Sequence, residues 1–371
     1  MKKVFFAFAG ALALVALVAH SSASAQNVKL KNATSWELTG RVQLQHLYNS
    51  DIAGDAGSTN NGFRMRRGRL QVAGKLTEFV ETKFQIEVRD NSPRLKDAEG
   101  VLHFANDLYL RFGQYKVPVW REELRSSSKL LLVERSVVAE FLADYNLSAR
   151  HIGVEFGRVS KNKLSFAVNF SNGSGEGGRE DAGRSKSDYV NNGKMLSGRV
   201  NLPVGEMVQV GVSGVMNRVG NTIGTQDNSG SITAVAPDFG IYMDAGERSK
   251  VEIEGGFVFG SVDQEFLQAQ KSRHFTLFDV TGRYTQKLAK VSEGLAGMDA
   301  FELAAGFSRT DVDATVTNVF RFGPAFYFGK QTRLQINGEI EKTKRSDSVF
   351  PDLPDLGDSV FQVRSQITFN F

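Results

Sequence analysis

Arg67, Arg69 and Gln71 alternate with Gly68, Leu70 and Val72, so an extended chain puts two guanidiniums and an amide on one face. Neighbouring segments add Arg41, Lys83, Arg89, Asp97, Glu99 and Arg111 at polar positions of the same rhythm. Arg66 has the opposite parity but lies near the end of its segment, where it can bend toward the same rim. A guanidinium is a planar fork of donors that matches phosphate or carboxylate oxygens, and hydroxyls extend such a site. Arg121, Arg125, Ser126, Ser127, Ser128 and Lys129 supply both types in one short stretch and are expected to face the wall bearing Arg67 and Arg69. With Asp97 holding those arginines and weakening their grip enough for release, the expected chemistry is transient anion binding.

Other chemistry is poorly framed. The run Asn172–Gly178 is glycine-rich but opens no apolar helix and carries no Gly-Lys-Ser, so it reads as an external loop. His46, His103, His151 and His274 are not spaced as a metal pair. Ser126–Ser128 lack the Gly-x-Ser-x-Gly elbow of a nucleophile. The absence of cysteine excludes thiolate metal sites, disulfides and a cysteine nucleophile. No catalytic residue, cofactor or metal is expected. The net charge of +4 is spread along the chain and not gathered into an arm, so no nucleic-acid partner is expected either.

The elements that must hold these groups announce themselves by a period of two. At the C-terminus Phe361, Val363, Ile367, Phe369 and Phe371 alternate with Gln362, Arg364, Gln366, Thr368 and Asn370. The same dyad runs through Phe84, Ile86 and Val88 against Lys83, Gln85, Glu87 and Arg89, and through Leu334, Ile336 and Ile340 against Arg333, Gln335, Asn337 and Glu339. Sixteen such segments begin near residues 37, 63, 82, 95, 108, 150, 163, 195, 207, 236, 250, 275, 300, 317, 332 and 360. Their connections alternate between short turns and mostly long loops rich in Gly, Asn, Ser and Asp, as in an outer-membrane barrel with a periplasmic and an external rim. An even strand count puts both termini on the short-turn side. A soluble sandwich or β-helix shares the strand parity but not the two loop lengths.

Residues 1–25 carry a basic start, an apolar run Val4–Ala19 and the small residues Ala23-Ser24-Ala25, the pattern of a cleaved export signal with Gln26 as the first mature residue. Residues 26–371 then form a single all-β domain, an antiparallel transmembrane barrel, since no later run approaches the roughly 18 apolar residues of a spanning helix. The stretch of about 116–149, after the fifth strand, is expected to fold inward, because Leu130, Leu131, Leu132, Val133, Val137, Val138, Phe141 and Leu142 need burial.

From Phe63 to Gly153 the sequence resembles the phosphate-selective porin O and P family. The resemblance rests on Arg66-Arg67-Gly68-Arg69-Leu70, Leu95-Lys96-Asp97-Ala98, Gly113-Gln114-Tyr115-Lys116-Val117-Pro118, Glu122-Glu123-Leu124-Arg125-Ser126-Ser127 with Glu134-Arg135, and Arg150-His151-Ile152-Gly153, in that order. It implies a sixteen-stranded, usually trimeric barrel in outer-membrane lipid of the bacterial cell, carrying small anions past a constriction made by the loop after strand five. The chain departs from the phosphate-specific members in one respect. Met195–Asn217 offers only Arg199 on the inward parity, where those members carry an arginine ladder.

The inward positions tally twelve basic against ten acidic residues, so any preference must come from how the charges are sorted. Arg364 on the closing segment meets Arg41 on the first, giving one basic arc, while Glu252, Glu254, Asp279 and Glu302 fall on the far wall. A transverse field of this kind also serves general, weakly selective pores. Three readings stay open: an anion-preferring porin, a general porin without a phosphate site, and an outer-membrane barrel hydrolase.

Overall fold

Alternation this regular closes a sheet on itself once the polar face has a lumen to line. The computed structural model describes residues 35–50, 60–89, 92–160, 163–178, 193–219, 222–223, 226–227, 230–263, 272–313, 315–345 and 359–371. The expected export signal at 1–25 lies outside the described residues. The first eight barrel strands are β1 Ser35–Asn49, β2 Asn60–Thr77, β3 Val80–Arg89, β4 Ser92–His103, β5 Leu108–Lys116, β6 Arg150–Arg158, β7 Ser165–Ser171 and β8 Met195–Val204. The other eight are β9 Val208–Val219, β10 Gly230–Asp244, β11 Ser249–Val262, β12 Arg273–Ser292, β13 Met298–Val312, β14 Thr315–Phe328, β15 Thr332–Arg345 and β16 Val360–Asn370. Each pairs antiparallel with its sequence neighbours, and β16 returns to β1 with Arg41 opposite Asn370 and Asn49 opposite Gln362. The barrel therefore has no free sheet edge.

The wall has an oily outside. Phe84, Phe156, Val168, Phe170, Val200, Val212, Leu303 and Phe320 are exposed, while Gln43, Gln45, Glu87, Ser213, Asn217 and Ser308 on the opposite face are buried. An apolar belt of this extent suits lipid and not water.

Between β5 and β6 lie two helices, α1 Arg121–Leu124 and α2 Val137–Asp144. Ser136 caps α2, its hydroxyl oxygen accepting from Ala139 N–H at 3.2 Å, and its own N–H and O–H donate to the Glu122 carboxylate of α1. Val138, Ala139 and Leu142 of α2 are buried with Val117, Val119, Trp120 and Leu147 against Met195, Val215, Ile232, Ala234, Ala236, Val258, Phe275 and Leu277. Those eight strand residues occupy lumen-side positions, so the alternation of β8–β12 is broken by an apolar patch that receives the segment. Burying side chains of this size contributes about 1.5–3 kcal/mol each.

Gly113, in the Gly-Gln-Tyr-Lys stretch, has φ +114, and a Cβ there would stand 2.0 Å from the Ala98 carbonyl oxygen. Only glycine lets β5 pass β4 this closely on its way into the segment.

Candidate functional site

Two β-bulges set the basic wall. Along β1 and β2 the register passes from Gln43 opposite Arg67 to Leu44 opposite Met65, leaving Arg66 as the extra residue. A bulge of this kind re-aims side chains and resets the parity beyond it. Arg66 and Arg67 therefore both reach inward, and so does Arg64, whose guanidinium donates to Gln45 Oε1 at 2.8 and 2.5 Å. The second bulge lies between β3 and β4, where Gln85 pairs with Asp97 but Ile86 with Leu95. The extra residue, Lys96, places its ammonium 2.8 Å from Glu176 and 3.7 Å from Glu87.

Three guanidiniums of this wall share one carboxylate. Glu134 lies 2.5 Å from Arg66, 3.5 Å from Arg67 and 3.8 Å from Arg64, and accepts from Gln45 Nε2 at 3.0 Å. Burial alone would raise the Glu134 carboxyl, but the hydrogen bond and charge of Arg66, then the charge of Arg67, hold it well below the usual carboxylate range. Glu134→Gln is expected to free three cations at once and to raise anion preference, read as a larger reversal potential in a KCl gradient. The same change strands buried charge, so a loss of about 3–5 kcal/mol is expected as a lower denaturation midpoint.

Arg41 and Arg69 stand opposite one another on β1 and β2. Arg69 is paired with Glu87 at 2.5 Å and donates to Ser127 Oγ at 3.1 Å. Arg41 donates to Asn370 Oδ1 at 2.9 Å, Ser127 Oγ at 2.8 Å, Ser128 Oγ at 2.8 Å and Ser126 Oγ at 3.4 Å. All its acceptors are neutral oxygens, and among the described residues no carboxylate lies within ion-pair distance. Arg41 thus keeps an uncompensated charge beside hydroxyls that an anion's oxygens could displace. Lys129 follows this turn with its side chain exposed.

The remaining expected residues are dispersed. Asp97 does not hold Arg67 or Arg69; it accepts from Arg150 Nε at 2.6 Å and lies 3.4 Å from Lys83. Its expected role falls to Glu87, directly opposite Arg69 across β2–β3, and to Glu134, which the first bulge brings within reach of Arg64 and Arg66. Arg111 sits 3.5 Å from both Glu99 and Glu155, with its guanidinium 5.1 Å from the Tyr115 ring centre. It lines a cavity of about 720 Å³ on the short-turn side with Lys83, Glu99 and Tyr109.

Arg121 and Arg125 also correct the expectation, because they turn away from Arg67 and Arg69. Arg121 donates to Asp238 Oδ1 at 2.8 Å, Gln209 Oε1 at 3.0 Å and Asn201 Oδ1 at 3.0 Å. Arg125 pairs with Glu254 and donates to the Lys129 carbonyl at 2.9 Å. Like charge repels them from the β1–β2 wall, and the acidic far wall accepts them. That wall is otherwise neutralised in place: Arg199 pairs with Asp238, Arg283 with Glu252, Arg321 with Asp279 at 3.0 Å and Arg333 with Glu302 at 2.5 Å.

The carbonyls of Glu123 and Arg125 accept from both Lys116 and Arg135, and Arg135 is paired with Glu123 at 2.7 Å. This clamp orients the turn that carries the three serines. On the other side of the ring Leu130 O accepts from Arg333 at 2.9 Å, and Val133 N–H donates to Asn337 Oδ1 at 2.6 Å.

A family model described as phosphate-selective porin O and P matches residues 37–249. No curated protein matches the chain. Among solved structures, the chain is similar to an anion-selective porin from Comamonas acidovorans, with TM-score 0.62 and 13% identity over 91% of this chain and 99% of that one. It is similar to the outer membrane channel DcaP of Acinetobacter baumannii, with TM-score 0.60 and 14% identity over 93% and 99%. OmpT, an outer membrane protein of Vibrio cholerae, matches with TM-score 0.60 and 10% identity over 94% and 100%. At these identities the likeness is one of fold.

Proposed function

Because this chain belongs to the phosphate-selective porin O and P family, we propose that its solute path prefers small anions and selects them at the β1–β2 wall. The protein is a porin of the bacterial outer membrane, a channel and not an enzyme. The observation that carries the anion reading is Arg41, whose hydrogen bonds among the described residues go to the Ser126, Ser127 and Ser128 hydroxyls and an amide oxygen and to no carboxylate. Around it, among the described residues, Arg64, Arg66, Arg67 and Arg69 share the carboxylates of Glu134 and Glu87. Lys129 adds an exposed charge at the turn. Arg121, Arg125, Asp97 and Arg111 act as paired wall groups that shape the field without binding solute directly. Phosphate or another small oxyanion would replace the serine oxygens on Arg41 and Arg69, and the hydroxyls would return as it leaves. Single-channel conductance in chloride, with phosphate titrated as a blocker, tests this; a cation-preferring or unselective current overturns it and leaves a general porin.

The segment 116–149 serves as the constriction. This reading is supported by its hydrogen bonds to β1, β2, β8, β9, β10, β14 and β15, which lie on opposite sides of the ring. A removable signal at 1–25 and assembly as a homotrimer in outer-membrane lipid complete the proposal.

A pH dependence follows from α2. Glu140 is exposed to water, yet the protein packed around it and the neighbouring Glu134 and Glu339 carboxylates outweigh Arg364 and Arg321 and push its carboxyl up to about 7. Its negative charge is present above that pH and lost below it. Anion preference is therefore expected to rise on acidification from about pH 8 to pH 6, and Glu140→Gln is expected to flatten that rise. Reversal potentials at the two pH values check it.

A further inference from the structure

The oily outer wall of β13–β15 ends in a cationic row. Antiparallel register sets Phe307 beside Phe320, Phe320 beside Ile340, and Ile340 beside Phe361 of β16. One row nearer the long-loop rim, Arg309 stands beside Asn318 and Asn318 beside Lys342; the next row sets Val316 beside Lys344. These side chains face away from the lumen, since their alternating neighbours Ser308, Val319 and Glu339 are buried on the inner face. Arg309 donates to Asn318 Oδ1 at 3.4 Å and to Asp311 Oδ2 at 3.2 Å. Lys342 and Lys344 are exposed, and neither ammonium has a partner among the described residues. Among the described residues of this row, Arg309, Lys342 and Lys344 thus meet the one carboxylate of Asp311 where the apolar belt stops.

That height fixes what can approach. Lysine stems run along apolar surface and carry their charge to the headgroup plane. The rim is the external one, because the long loops leave from it. We propose that Arg309, Lys342 and Lys344, with the Asn318 amide, form a binding site for a phosphorylated lipid headgroup of the outer leaflet. The acyl chains would lie on Phe307, Phe320, Ile340 and Phe361, and the phosphate would take the donors left over above them. The site is separate from the solute path, since its side chains point into the bilayer interface.

The test uses the full chain refolded in detergent micelles and native mass spectrometry. The probes are bis-phosphorylated lipid A, the same lipid without its phosphates, and inorganic phosphate as competitor. The unmodified protein is expected to retain the phosphorylated lipid over the dephosphorylated one, and R309Q/K342Q/K344Q to bind it on the order of a hundredfold more weakly. Single-channel conductance and ion preference are expected to be unchanged, which separates this site from the pore. Should the triple variant fail to refold, K342Q/K344Q is measured beside K342R/K344R, and only the arginine pair is expected to keep the lipid. Equal retention of the phosphorylated lipid by the unmodified protein and the glutamine variants overturns the proposal. So does indifference to the lipid's phosphates, or full displacement by inorganic phosphate, which would assign the row to a free anion.

Discussion

Arg41→Glu combined with Arg69→Glu is expected to invert the sign of the reversal potential in a KCl gradient. The two side chains face each other across the β1–β2 ladder and converge on one acceptor, Ser127 Oγ, at 2.8 and 3.1 Å. The pair changes the wall by four charge units. Each unit is worth about 0.6 kcal/mol to an ion some 7 Å away in a water-like dielectric, so a passing anion is expected to be disfavoured roughly fiftyfold and a cation favoured by about the same factor. The neutral pair, Arg41→Gln with Arg69→Gln, removes half that charge and is expected to cost a passing anion roughly eightfold, erasing the preference without reversing it. The far wall cannot compensate, because Asp238, Glu252, Asp279 and Glu302 are each already matched by an arginine. A reversal potential unmoved by the glutamate pair would mean that ions pass along some other face of the lumen.

The barrel was legible because the dyad period is a backbone property that lipid on one side and water on the other enforce at every strand. The bulges were legible too, in a subtler signal. Phe63 and Met65 share one parity and Leu70 and Val72 the other, so the oily face slips phase between them, where Arg66 is inserted. Leu95 against Ala98 and Leu102 records the same slip around Lys96. Read without the slip, Arg66 falls on the lipid side and Arg64 escapes notice. What alternation could not convey is the partner of each arginine in the segment after β5. A helical turn erases the two-face rule, so nothing local distinguishes the direction of Ser127 from that of Arg121. The direction is set by charge from afar: Asp238 and Glu254 draw Arg121 and Arg125 across, and the serines are left for Arg41 and Arg69. Asp97 has the inward parity two strands on from the arginine run, yet its carboxylate is taken by Arg150 and Lys83.

Leu142→Asp is expected to open the pore while leaving the barrel closed. Leu142 is fully buried in α2, against lumen-side residues that include Met195, Val215, Ile232, Phe275 and Leu277. Truncating such a leucine to alanine costs about 2–5 kcal/mol, and a carboxylate placed there has no partner among those side chains, so its penalty is larger. The strand ladder does not share that cost: β5 and β6 pair from Leu108 with Arg158 to Lys116 with Arg150, and the ring closes through β1 and β16 without any residue of α2. The least costly relief is for α2 to leave its apolar seat, taking with it the turn that bears Ser126–Ser128. Single-channel conductance is then expected to rise about twofold or more, since a sixteen-stranded wall encloses an aqueous channel when nothing fills it. Phosphate block is expected to weaken in step, because Arg41 loses the hydroxyls that frame its site. Leu142→Ala, which thins the contact without placing charge in it, is expected to fall between the two. Should limited proteolysis show the segment released in Leu142→Asp while conductance stays at the unmodified level, the narrowest point of the path lies elsewhere in the barrel.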